Sequence, residues 1–253
     1  MAEGFTAKSA LRSFLAQNPF PHPLTDGLFY REKMRAIHRT APSAICQRGH
    51  QATLLEIGGG RSGVGQLLFP GAAVTNCDID PAFAPDAARA GVTFVCGDAR
   101  ALPFTDASFD VVTMFDVLEH IHDDAKAASE ALRVTRPEGW VLLSTPNADW
   151  HYPYHRFMRR WCPPEARLMA EWGHVRRGYY GATLVKLFGG IAERRSSFIN
   201  PVTAFFHDVS FSTLRRRWRS LLYAAAAPAT AVAYAVHSSA TPGTETAFAW
   251  RRR

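Results

Sequence analysis

Cysteine is sparse and widely spaced in this chain, with four residues at positions 46, 77, 96 and 162. Two of them fall inside apolar runs that read as buried strands, so neither a disulfide framework nor a zinc site is indicated. Long apolar runs are missing as well. The almost uncharged stretch from Leu221 to Val236 is alanine-rich, interrupted by Pro228, and short of the ~20 apolar residues that a spanning helix needs. No charged-then-apolar segment with a small-residue cleavage site opens the sequence, so secretion is not supported and the cytosol is the expected compartment. Acidic residues are outnumbered: 22 Asp+Glu face 29 Lys+Arg, nearly all arginine, for a net charge of +7. Arginine clusters at 159–160, 176–177, 194–195, 215–217 with 219, and 251–253. That balance suits an anionic acceptor, an acidic membrane surface or nucleic acid, because the planar guanidinium fork matches phosphate. A solvated basic surface with no partner is the competing reading.

A length of 253 residues with 47% hydrophobic content is enough for one α/β domain with additions. The informative stretch begins at Leu54-Leu55-Glu56-Ile57-Gly58-Gly59-Gly60-Arg61-Ser62-Gly63 and continues to Val74-Thr75-Asn76-Cys77-Asp78-Ile79-Asp80. An apolar run feeds a glycine turn, a short helix follows, and a second apolar run ends in a carboxylate about 20 residues after the first glycine. This is the layout of a nucleotide-binding βαβ unit. Glycine at 58 and 60 lets the backbone take positive φ and approach a ligand closely. Asp78, at the end of the second strand, is placed to accept hydrogen bonds from both ribose hydroxyls. Asp80, before Pro81, reads as a helix cap. The pattern Gly58-x-Gly60-x-x-Gly63 also fits the dinucleotide fingerprint, and the loop by itself does not choose between NAD and another adenosine ligand.

The downstream segments do choose. Phe94-Val95-Cys96-Gly97-Asp98-Ala99 is a third apolar run ending in Gly-Asp. Ser108-Phe109-Asp110-Val111-Val112, Asp116-Val117-Leu118-Glu119-His120-Ile121, Leu132-Arg133-Val134 and Gly139-Trp140-Val141-Leu142-Leu143-Ser144-Thr145-Pro146-Asn147 follow in order. This succession resembles the class I S-adenosylmethionine-dependent methyltransferases, and within them the ubiquinone/menaquinone-biosynthesis type, over about residues 50–147 and more loosely 174–200. The resemblance implies S-adenosyl-L-methionine as cofactor. Glu56, Gly58, Gly59 and Gly60 would pass under its methionine part, with Glu56 near the amino group through backbone or water. Asp78 would hold the ribose, Ile79 would flank the adenine, and Asp98 with Ala99 would meet the adenine edge. Phe115 and Asp116 would line the methionine end. Asp110 is assigned to the fold. Ser62 departs from the family's usual third glycine and leaves the path of the loop open.

The expected architecture is α/β: a doubly wound, mostly parallel seven-stranded sheet of Rossmann-like type, with an antiparallel last strand, a helical N-terminal cap and an aromatic insertion after the fifth strand. Strands are expected near 52–58, 73–79, 92–97, 109–115, 140–145, 192–199 and 245–251, and helices near 63–69, 82–90, 123–134 and 182–188. Residues 1–50 would form the cap and 51–253 the catalytic domain. Within the latter lie the insertion at about 148–178 and a basic, apolar helical segment at about 211–237. Plain packing, a dimer contact and an interfacial helix on anionic lipid remain open for that segment.

The insertion concentrates aromatics and histidine. Trp150, Tyr152, His155, Trp172 and Tyr179 are the candidate acceptor-binding residues, because a loop after the fifth strand lies beside the reactive end of the cofactor. His120 and His174 are the candidate general bases, histidine being the side chain whose ordinary pKa suits neutral pH. His151 and His155 alternate with tyrosines and would bind metal only if other ligands converged, so no metal is expected. The expected activity is methyl transfer to oxygen or carbon of a small or lipid-linked metabolite, with peripheral contact to the inner face of an anionic membrane. A non-catalytic protein of the same fold is the alternative. RNA methylation is disfavoured, since the Asn/Asp-Pro-Pro-Tyr/Phe motif of many nucleic-acid amino methyltransferases is missing. An NAD-dependent dehydrogenase is weaker still, with no recognisable tyrosine-lysine pair.

Overall fold

The computed structural model describes residues 26–42, 52–60, 64–69 and 71–253. Most of the expected N-terminal cap, Cys46, and the Arg61-Ser62-Gly63 stretch with its departure from the family pattern therefore lie outside the described residues. In chain order the elements are α1 (Asp26–Thr40), β1 (Thr53–Ile57), α2 (Val64–Leu68), β2 (Ala73–Asp78), α3 (Ala84–Arg89), β3 (Thr93–Cys96), β4 (Phe109–Phe115), α4 (Asp124–Val134) and β5 (Thr135–Pro146). The insertion contributes α5 (Glu165–Trp172); α6 (Gly181–Phe188), β6 (Arg194–Phe198), α7 (Pro201–Ser210), α8 (Arg216–Val236) and β7 (Glu245–Arg251) complete the chain.

The strands form one sheet in the order β3-β2-β1-β4-β5-β7-β6. Strands β1 to β5 pair in parallel, and β7 lies antiparallel between β5 and β6. The antiparallel last strand is as expected. Both faces are covered, which is why the central strands read as continuous apolar runs. Successive side chains point to opposite faces. Leu54, Val111 and Leu142 join Ile37 of α1, Val64 and Leu68 of α2 and Ala204 of α7 in one cluster. Leu55, Val112 and Leu143 join Ala127, Ala131 and Val134 of α4 and Leu184 and Phe188 of α6 in the other.

Two boundaries moved for local reasons. β5 begins at Thr135, five residues early, because a register shift lets Thr135 pair with Phe109 before Trp140 pairs with Val111. Pro228 does not interrupt the alanine-rich segment as expected: α8 runs through it for 21 residues. Alanine is the best helix former, so its neighbours offset a proline that alone costs about 3 kcal/mol. The helix α7 was not anticipated. It is opened by Asn200, whose side chain accepts from the N–H groups of Val202 and Thr203, with Pro201 in the first turn. Buried Glu32 of α1 binds this junction, accepting from Ile199 N at 2.7 Å, Asn200 Nδ2 at 2.6 Å and Thr203 Oγ1 at 2.7 Å. The described part of the N-terminal region thus packs against β6, β7 and α7, and reaches the ligand end of the sheet through Lys33, paired with Asp116. Asp110 serves the fold as expected, at the opposite edge. It accepts from Thr53 N at 2.9 Å and pairs with Arg136 at 3.0 Å.

Candidate functional site

A cleft of about 650 Å³ opens at the carboxyl ends of β1, β2, β3 and β4, where ligands of such sheets bind. Gly58 and Gly60 line it with φ of +66° and +50°. A Cβ on Gly58 would stand 2.5 Å from Val117 Cγ2, so glycine is needed there for space as well as backbone conformation. A Cβ on Gly60 would meet nothing closer than the Phe83 ring at 3.9 Å, which leaves its backbone open to a ligand. Asp78 orders both loops beside it, one oxygen accepting from Gly60 N at 3.0 Å and the other from Asp80 N at 3.0 Å. Asp80 caps the short 3-10 turn Pro81–Phe83 as expected, accepting from Ala82 N at 2.9 Å. Ile79 is 67% exposed on the cleft wall, an apolar surface suited to the face of a ring.

Asp98, Ala99 and Asp116 also line the cleft. Asp98 is held by Arg100, whose Nη2 lies 2.6 Å from it and keeps its carboxyl below the usual range. Arg100 was not anticipated, although it stands two residues on in the same turn. Glu56, Gly59 and Phe115 are placed behind the cleft wall. The Glu56 carboxylate lies under the glycine loop and accepts from Gly65 N at 3.0 Å, and burial raises its pKa to about 7. Gly59 N donates to Asn76 Oδ1 at 3.2 Å, and Phe115 belongs to the core. These three shape the site from below.

Beyond Asp116 the wall becomes densely ionisable. Asp116 has φ +54° and accepts from Ser144 Oγ at 2.7 Å, with buried Lys33 on its other oxygen. Glu119 is fully buried; burial first and Asp116 second raise its pKa. Glu245 is raised for the same two reasons. His120 lines the cleft, and His174 packs against it. Burial, then the neighbouring His120, lowers the His174 pKa to about 4, which keeps it neutral at pH 7 but makes it a weak base. Spacing gave no sign that Glu119 would join the two histidines. The three come together because the turn after β4 and the end of α5 meet.

The five acceptor candidates are placed elsewhere, and none of them lines the cleft. Trp150, Tyr152 and Leu168 form a small core with Trp172 packed on it. Trp150 Nε1 donates to Arg177 O at 2.7 Å. His155 Nδ1 lies 2.9 Å from buried Asp208. The Tyr179 hydroxyl is bonded to Leu118 O at 3.0 Å and Asp124 Oδ2 at 2.8 Å. A loop this rich in rings buries them against one another, since each ring removes a large apolar area from water. Trp172 packs toward the histidines, its ring centroid 5.5 Å from that of His174, and the Tyr179 hydroxyl reaches the turn that carries His120.

The comparisons agree with this geometry. Residues 55–143 match the model of a family described as a methyltransferase domain. A demethylmenaquinone methyltransferase of Streptomyces avermitilis is 31% identical over 160 residues, 59% of this chain and 68% of that one. The chain belongs to the class I S-adenosylmethionine-dependent methyltransferases. A probable S-adenosylmethionine-dependent methyltransferase of Mycolicibacterium smegmatis is 53% identical over 51 residues, 20% of each chain. The match thus spans only about a fifth of the length of this curated relative. Among solved structures, the N-methyltransferase NodS of Bradyrhizobium japonicum in complex with S-adenosyl-L-homocysteine has a TM-score of 0.56 at 16% identity, covering 98% of this chain and 99% of that one. An S-adenosylmethionine-dependent methyltransferase of Mesorhizobium loti reaches 0.58 at 15% identity, with 87% and 98% covered. Both share the fold. The residues present suit the family's cofactor: a carboxylate at the end of β2, an apolar wall at Ile79 and an unobstructed glycine backbone at Gly60.

Proposed function

We propose that this family member transfers a methyl group from S-adenosyl-L-methionine to oxygen or carbon of a small or lipid-linked metabolite. The observation that carries the reading is the convergence of Gly58, Gly60, Asp78, Ile79, Asp98 and Ala99 on one cleft at the carboxyl edge of a parallel sheet. When bound, the cofactor supplies an electrophilic methyl whose S–C bond breaks toward sulfur as a lone pair or carbanion of the acceptor forms the new bond. Asp78 would accept from the ribose hydroxyls, and Ile79 with Ala99 would take the adenine ring. Asp116, fixed by Lys33 and Ser144, would face the methionine end. Alignment is the main contribution asked of the protein, worth up to about 7–11 kcal/mol in well-oriented intramolecular models.

A lipid-linked acceptor draws support from the other side of the insertion. Phe157, Met158, Trp161, Phe205, Trp218 and Leu222 line a second hollow of about 470 Å³, beside the arginines at 159–160 and 215–217. Helix α8 leaves Trp218, Leu221, Val232 and Val236 exposed. Among the described residues no helix is long and apolar enough to cross a membrane. Contact would therefore be peripheral, with arginine and tryptophan at headgroup depth.

The test is incubation of the purified chain with methyl-labelled cofactor and cell extract, followed by separation of small molecules, lipids and RNA. Label in the metabolite or lipid fraction, lost in Asp78→Ala, is the expected result. Label confined to RNA would transfer the reading to a nucleic acid. Cofactor binding without transfer would leave a non-catalytic protein of this fold.

A further inference from the structure

Glu119, His120 and His174 each offer one ligand atom, and all three atoms lie within 4.8 Å of one another. Glu119 is fully buried: its Oε2 accepts from Thr145 Oγ1 at 3.2 Å, while its Oε1 has no hydrogen-bond partner. Nδ1 of His174 is buried and unpartnered too. A buried polar atom left in this way is destabilising, and more so if charged. His120 Nδ1 stands 3.1 Å from Gly173 O. A carbonyl only accepts, so Nδ1 is the donor there, and in the neutral ring Nε2 then keeps its lone pair, as in metal-bound imidazoles oriented by an outer partner. The two segments are also clamped together. Val175 N donates to Glu119 O at 3.0 Å, and Arg176 Nη1 donates to Leu118 O and Ile121 O at 3.0 and 2.6 Å. The ligand atoms are thus held in register by backbone contacts on both sides.

We propose that Glu119, His120 and His174 bind a divalent transition-metal cation. Two imidazoles and one carboxylate suit zinc, iron(II), cobalt(II) or manganese(II) and leave coordination positions open, whereas magnesium prefers an all-oxygen set. Coordination through Glu119 Oε1 and His174 Nδ1 would satisfy both unpartnered atoms at once. His120 belongs to the cleft as well as to the triad, so the cation lies at the cleft's edge and is placed to hold an oxygen-bearing acceptor. That last assignment rests on the methyl-transfer reading; the cation site itself does not.

The full chain, stripped with a chelator, is titrated with cobalt(II) and followed by visible absorption, with S-adenosyl-L-homocysteine binding measured separately by calorimetry. The expected result is a d–d band that saturates at a single equivalent. It should weaken by about tenfold or more in both His174→Asn and His120→Asn, the size of loss seen when metal sites are disturbed. His174→Asn should still bind S-adenosyl-L-homocysteine, which shows that it is folded. A spectrum no different from aquated cobalt, or a band unchanged in both variants, overturns the site. A wild-type chain that takes up cobalt but no S-adenosyl-L-homocysteine overturns the methyl-transfer reading and leaves the cation site standing.

Discussion

The imidazole rings of His120 and His174 meet edge to face, their centroids 4.7 Å apart. One follows β4 and the other follows α5, so this contact joins the parallel sheet to the insertion. Behind His174 stands Trp172, and behind Trp172 stands Trp150, with ring centroids 6.2 Å apart. The aromatic cluster acts as the footing of one wall of the cleft.

If that is its role, Trp150→Ala should lower stability by roughly 3–5 kcal/mol, the usual cost of emptying a buried aromatic site. Trp150 is 5% exposed. Cofactor affinity of the folded fraction should change little, since Trp150 does not line the cleft. Urea denaturation and calorimetry check the two halves. A variant of unchanged stability with only a raised KM for the acceptor would show direct acceptor contact instead.

Gly58→Ala should damage the cofactor loop in two ways at once. Its left-handed φ costs an L-residue about 1–2 kcal/mol, and its Cβ would collide with Val117. We expect S-adenosyl-L-homocysteine affinity to fall about tenfold or more, and the added change Val117→Ala to recover only part of it, because the φ penalty stays. Full recovery in the double variant would assign the whole effect to sterics.

The buried carboxyl of Glu56 makes stability depend on pH. Its pKa is raised to about 7 in the folded chain, first by burial, so the folded state holds the proton more tightly than the unfolded state. Its contribution is complete below about pH 4.5 and is lost as pH rises through about 7. The loss is on the order of 3 kcal/mol. Glu56→Gln keeps an oxygen for Gly65 N and has no proton to release, so its unfolding free energy should be flatter than wild type between those pH values. Parallel curves in urea denaturation would reject this account.

Binding to anionic vesicles should depend on the start of α8. Arg216 and Arg217 are exposed, and Arg217 lies 5.7 Å from the Trp218 ring. A basic residue near such a surface contributes about 1 kcal/mol. Replacing both with glutamine should therefore cut co-sedimentation with phosphatidylserine vesicles about tenfold or more, while neutral vesicles bind neither form. Equal sedimentation of wild type and variant would remove the membrane proposal.

The lining of the cleft was legible in the sequence because its parts are local. Gly58, Gly60, Asp78, Asp98 and Asp116 all sit at strand ends, and a parallel sheet brings its strand ends to one edge whatever packs on its faces. Asp80 was legible for the same reason, acting within its own turn, whereas Asp110 was assigned to the fold by resemblance and meets partners on two other strands, Thr53 of β1 and Arg136 of β5. The packing of the insertion was not legible. Composition showed rings in the insertion, but whether a ring faces a ligand or another ring depends on which segments pack against it. Here Leu168 of α5 and the neighbouring tyrosines and tryptophans closed the cluster on itself.

The sequence by itself determined the βαβ order, the glycine turn and the placement of carboxylates along one sheet edge, since these follow from strand periodicity and backbone sterics over a few residues. Only the tertiary structure decided that Lys33 meets Asp116, that Glu56 turns beneath the loop, and that Glu119, His120 and His174 converge. Those outcomes depend on how distant segments dock. Docking is set by the burial of whole faces, which no single stretch of residues encodes.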